Sequence, residues 1–177
     1  MTRFLLHVLI AFILSIIETS LFASFHGTIR FTPFVFAVSV YLLQHHGITS
    51  ASSWMILHGI FIDTLQHSQT PFVTLAYLVA AVISILSAQR VFSNRSFYGI
   101  MTCSLLSYTG FIVMDFLLRL TGAFISKYPF DWMSYYKDTE ARYMTLIIFL
   151  VILFIFAKHI RIVLAKLFLI PQSRQTL

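Results

Sequence analysis

The sequence predicts an all-α, polytopic membrane protein, a bundle of six helices in a single transmembrane domain over residues 1–177. Three observations carry that reading. Hydrophobic residues make up 59% of the chain and charged ones only 10%, and a mean hydropathy of +0.89 is far above what a soluble core of this size needs. The apolar residues fall into successive blocks, and the connections between them are too short to hold a separate soluble module. Lys and Arg collect at block ends instead of forming a stripe with interleaved aromatics, so the net charge of +6 reads as topology and argues against a nucleic-acid surface.

A hydrocarbon core of about 30 Å takes on the order of 20 helical residues. Measured against that length, the blocks give spans at 4–25, 33–44, 50–66, 71–91, 97–120 and 143–162, the second and third of them short. The first follows a single Arg3, is longer than a signal-peptide core and lacks a small-x-small cleavage site, so a retained span is expected. Thr32-Pro33 and Thr70-Pro71 each set a hydroxyl at the N-cap and proline at the first helical position of the second and fourth helices. The small residues of Thr49-Ser50-Ala51-Ser52-Ser53 suit a close backbone approach, so the third helix is expected to start inside the bundle.

With an inner N-terminus, the cytoplasmic side receives seven cations, Arg3, Arg90, Arg95, Lys158, Arg161, Lys166 and Arg174. The outer side receives five, Arg30, Arg119, Lys127, Lys137 and Arg142. That bias places both ends inside. The outer loop between the last two spans carries Tyr128, Phe130, Trp132, Tyr135, Tyr136 and Tyr143, rings that suit the headgroup level, and is expected to lie along the outer face. Beyond the last span, Ile160, Val163, Leu164, Leu167 and Phe168 keep helical spacing with Lys158, Arg161 and Lys166 between them. This fits either an interfacial helix favouring anionic lipid or a basic stop-transfer flank.

Ionisable residues inside spans are costly and are therefore functional candidates. Asp115 and Arg119 lie four apart with the acid first, the better orientation for an ion pair, and mutual neutralisation or packing against another helix is expected ahead of transport or catalysis. Glu18, near Ser15, Thr19 and Ser20, is expected to hydrogen-bond within the bundle; a ligand-coordinating or protonatable role is the alternative. Asp63 comes a turn before "QHSQT" and Pro71. In a hairpin of helices three and four it can reach the unpaired N–H groups and positive dipole end of the fourth helix.

Enzyme signatures are absent. There is no H-E-x-x-H, G-x-S-x-G, Walker or Rossmann fingerprint. His7, His26, His45, His46, His58, His67 and His159 form no metal-ligand spacing on one helix face, and His58 and Asp63, five apart, pair poorly. The lone Cys103 supports no disulfide framework. No catalysis, metal or cofactor is expected.

From Phe12 to about Leu120, the order of features resembles the rod-shape-determining MreD family. The resemblance rests on a first span with a polar residue near its end, then "RFTPFVFAVSVYLL" and "MILHGIFIDTLQHSQTPFVTLAYLVAAVIS". Pro33 matches the family's helix-starting proline, and Gly59 with Asp63 matches its glycine four residues before an aspartate near the end of the third helix. Pro71 and Phe72 stand where the family usually has glycine, so the turn there differs. The resemblance implies a non-catalytic scaffold of the bacterial inner membrane that binds MreC, supports peptidoglycan synthesis and rod cell shape, and works with MreB, RodA and a class B penicillin-binding protein. The family fold is similar to the S components of energy-coupling-factor transporters, which makes vitamin binding the alternative function. Such a binder needs a polar and aromatic cavity open to the outer face. The aromatic outer loop could supply one side of it, but no second polar cluster that would converge with that loop is visible in the sequence.

Overall fold

The structure, a computed structural model, describes residues 2–22, 24–46, 48–65, 73–90, 96–127 and 129–167. Every regular element among them is helical: α1 (Thr2–Ile16), α2 (Phe34–His46), α3 (Ile48–Leu65), α4 (Val73–Arg90), α5 (Phe97–Ser126) and α6 (Trp132–Leu167). Two single turns join α1 to α2, a π-helical one at Ile17–Phe22 and a 3-10 one at Gly27–Phe31.

The π turn begins where the sequence changes from pure hydrocarbon to Glu18-Thr19-Ser20. The Thr19 and Ser20 hydroxyls donate back to the carbonyls of Ser15 and Ile16, a competition with the backbone ladder that loosens and bends helices. The expected single helix over 4–25 is therefore an α-helix that widens into π geometry over Ile17–Phe22, because these hydroxyls and Glu18 pull its last turns out of α geometry.

The start of α2 also differs from the expected cap. The Thr32 hydroxyl donates to the Ile29 carbonyl at 2.7 Å and so leaves the helix N-terminus. Pro33 takes the capping place, its carbonyl accepting the Ala37 N–H at 3.1 Å. Pro71, expected to open α4, lies outside the described residues, as do the side chains of Thr49, Ser50 and Ala51.

The largest departures are in the last two helices. Ser96 caps α5 by accepting the Gly99 N–H at 3.2 Å, and the helix continues six residues past the expected end to Ser126, where Lys127 turns it off with a left-handed backbone (φ 57°). α6 then starts at Trp132, because Asp131 accepts the Ser134 N–H at 3.1 Å through its side chain. The aromatic outer loop is thus mostly the first turns of α6, and only a short connection remains. At the other end α6 runs unbroken to Leu167, so the basic segment read either as an interfacial helix or as a stop-transfer flank is, up to that point, a continuation of the last helix.

The core is an aromatic column wrapped around α2. Val35, Phe36, Ala37, Ser39 and Val40 are fully buried, and α2 touches α1, α3, α4, α5 and α6. Phe36 meets Tyr108 at a ring separation of 5.1 Å, and Tyr108 stacks on Phe111, which meets Tyr77. Two glycines let neighbouring backbones close on this column. A Cβ on Gly59 would stand 2.7 Å from the Thr74 Cα of α4, and one on Gly110 would strike the end of the Ile83 side chain.

Among the described residues, α5 (Phe97–Ile125) and α6 (Trp132–Phe156) are long and apolar enough to cross a membrane by length and composition. Met144, Ile148, Ile152, Ile155 and Phe156 of α6 are exposed, as are Leu5, Leu9, Phe12, Ile13 and Ile16 of α1. Apolar surface of that extent marks contact with lipid or with another protein.

Candidate functional site

Three ionic centres form at the end of the bundle where α1 finishes and α2 begins. The first joins α1, α2 and α3. Glu18 Oε2 accepts the Val35 N–H at 2.6 Å, so α2 receives from a different helix the cap its own Thr32 does not supply. Oε1 of the same carboxylate faces His58 Nε2 at 3.3 Å, without the alignment of a good hydrogen bond. On the other side of the ring, Nδ1 lies 2.8 Å from Ser15 Oγ, which is itself 2.8 Å from the Ala11 carbonyl. Ser15 has one proton to give. Both short contacts are hydrogen bonds only if Ser15 donates to Ala11 and His58 Nδ1–H donates to Ser15. Nε2 is then the ring nitrogen that faces the carboxylate.

A Ser, His and Glu in sequence invite comparison with a nucleophilic triad. Here the resemblance stops at composition: Ser15 is 1% exposed, its hydroxyl is committed to a helix carbonyl, and no acyl group can approach it. The arrangement ties three helices together.

The second centre is the α3–α4 hairpin. Asp63 accepts the N–H of Val73 at 3.1 Å and of Thr74 at 2.9 Å, and the Thr74 hydroxyl makes a short bond to the same carboxylate. Its partners are the first N–H groups of α4, the place that spacing alone puts within reach. Gly59, one turn earlier on the same face, permits the approach, since Thr74 carries the Cα it nearly touches.

The third centre joins α5 to α6. Arg119 Nε lies 3.0 Å from both oxygens of Asp115. Two partners invisible in the spacing come from α6: the Tyr135 hydroxyl, which donates to the Ile112 carbonyl at 3.1 Å and sits 3.4 Å from Asp115, and Arg142, whose guanidinium reaches Asp115 only at 4.0 Å. Arg119 also lies over the Tyr135 ring.

The first and third centres line one cavity of about 270 Å³. Glu18 and Asp115 bring its acids, and Arg30, Arg119 and Arg142 its bases. Tyr77, Tyr108 and Phe111 form a ring-lined wall. The absence of a second polar cluster, expected from sequence, is corrected here: four helices, the π turn and the 3-10 turn assemble one from residues scattered between positions 18 and 142. Spacing gives His58 no partner and makes Arg30 and Arg142 only cations of the outer side; the fold sets His58 beside Glu18 and Arg142 beside Asp115. No group of three His, Cys, Asp or Glu side chains among the described residues could hold a metal ion.

No protein-family model matches this chain, and neither a curated protein nor a solved structure shows significant similarity to it.

Proposed function

We propose that this chain is a multi-pass, non-catalytic scaffold of the bacterial inner membrane of the MreD kind, with both termini in the cytoplasm. In this role it binds the single-span protein MreC and, through that complex, works with MreB, RodA and a class B penicillin-binding protein in cell elongation. The observation that carries the reading is the use made of Gly59 and Asp63. These are the two positions on which the resemblance to the family is most specific, and they are spent together on closing the α3–α4 hairpin. Two further features support it. The carboxylates of all three centres are engaged by helix N-termini, a histidine or arginines, which is the chemistry of a fixed frame. The apolar faces of α1 and α6 offer surfaces that a partner's single span can pack against.

The test is co-purification in mild detergent with the MreC of the same cell, paired with depletion. Retained MreC and rounded cells are the expected outcome. Failure to retain MreC, with unchanged cell shape on depletion, overturns the reading.

A further inference from the structure

We propose that the cavity between the π turn, α4, α5 and α6 binds a small organic carboxylate, held by Arg142 with its apolar body against Tyr77, Tyr108 and Phe111. The inference goes beyond scaffolding and stands or falls separately from it.

The charges decide the class of ligand. Three guanidinium groups face two carboxylates in the cavity wall, leaving one positive charge in surplus. The carboxylates are already engaged by protein: Glu18 by the Val35 N–H, Asp115 by both of its short contacts to Arg119. The cations are not. Arg142 approaches its acid only at 4.0 Å, and Arg30 lies over the Phe31 ring with no acidic partner among the described residues. Arg142 is the better placed of the two, since its side chain is only 25% exposed and its planar fork of donors matches a carboxylate bidentately.

Size and wall chemistry narrow the class further. A volume of about 270 Å³ holds roughly nine waters at about 30 Å³ each, and so an organic molecule with a similar number of non-hydrogen atoms. The ring wall at Tyr77, Tyr108 and Phe111 is continuous with the aromatic column of the core, and it favours a flat or apolar body over a second charge.

Benzoate is the probe, measured by saturation-transfer NMR on the full-length protein in detergent, with benzyl alcohol as its neutral counterpart and inorganic phosphate as a competitor. Saturable benzoate binding with a Kd at or below roughly 1 mM is expected for a ligand of this size, with benzyl alcohol at least tenfold weaker. Arg142→Gln is expected to weaken benzoate tenfold or more, while Lys137→Gln, which removes a charge from an exposed position of the same helix, leaves it unchanged. If Arg142→Gln fails to give a monodisperse protein, Arg142→Lys replaces it, with at least threefold weakening expected because the fork is lost.

No saturable benzoate binding overturns the proposal. So does equal affinity for benzyl alcohol, which would make the cavity merely apolar, and so does displacement of benzoate by phosphate at lower concentration. Equal loss in the Arg142 and Lys137 variants, or no loss in the Arg142 variant, overturns it as well. Retention of MreC in the pull-down is read independently of every one of these outcomes.

Discussion

Replacing Asp63 separates a helix cap from a bystander carboxylate. In the structure it accepts two backbone N–H groups and one hydroxyl from Val73 and Thr74. Asp63→Leu leaves two donors of α4 without acceptors in a half-buried place, at about 1 kcal/mol each, and removes an anion from a helix N-terminus, at about 0.5–1 kcal/mol more. The total is about 3 kcal/mol. Asp63→Asn keeps one acceptor oxygen, and asparagine caps helices about as well as aspartate, so only the charge and one bond are lost, about 1 kcal/mol. For a chain of this length these translate to melting shifts of about 9 °C and about 3 °C. The assay is thermal challenge in detergent followed by size-exclusion of the surviving monodisperse fraction. A Leu variant that melts within a degree of the unaltered protein would refute the capping account, and an Asn variant as unstable as Leu would show that the charge, not the cap geometry, is what matters.

Other substitutions probe the remaining contacts by the same assay. Gly59→Ala meets the Thr74 backbone and is expected to cost about 2–3 kcal/mol despite alanine's better helix propensity. Gly110→Ala meets only the tip of Ile83, which can rotate away, and is expected to cost under about 1 kcal/mol; equal losses at the two positions would contradict the distinction between backbone and side-chain neighbours. For Glu18→Ala and His58→Ala, a double-mutant cycle should return a coupling of about 1–3 kcal/mol, and additive effects would show the 3.3 Å approach to be energetically idle. Lys127→Gly should stabilise by about 1 kcal/mol, since glycine relieves the left-handed backbone at the end of α5, and a destabilised variant would show that the lysine side chain holds that turn.

What could be seen in the sequence was what depends on neighbours along the chain. Asp115 and Arg119 share a helix face four residues apart, and Asp63 sits one loop from the helix it caps, so spacing alone placed both within reach of their partners. Glu18 capping Val35 needed the π turn to swing the carboxylate over, and no local pattern encodes that. The missed start of α6 had a signal after all. Asp131 directly precedes the helix and accepts from Ser134, but the polar residues Lys137, Asp138 and Glu140 interrupt the apolar pattern by which a span is measured. The cavity was the least legible feature, because it draws on six elements and no two of its charged residues except Asp115 and Arg119 are close in sequence.

The brevity of α2 has a consequence for how the chain is made. Its 13 residues reach about 20 Å, some 10 Å less than a hydrocarbon core, so a bilayer would not hold it as a lone insert. Its N-terminal N–H groups are answered by Glu18, and those of α4 by Asp63. In both cases the anion precedes the helix it caps in the chain. As the protein leaves the ribosome, each even-numbered helix of the first four emerges to find its counter-charge already synthesised and waiting on the helix before it. The chain can then close two successive hairpins, each at its turn, before the long α5 emerges.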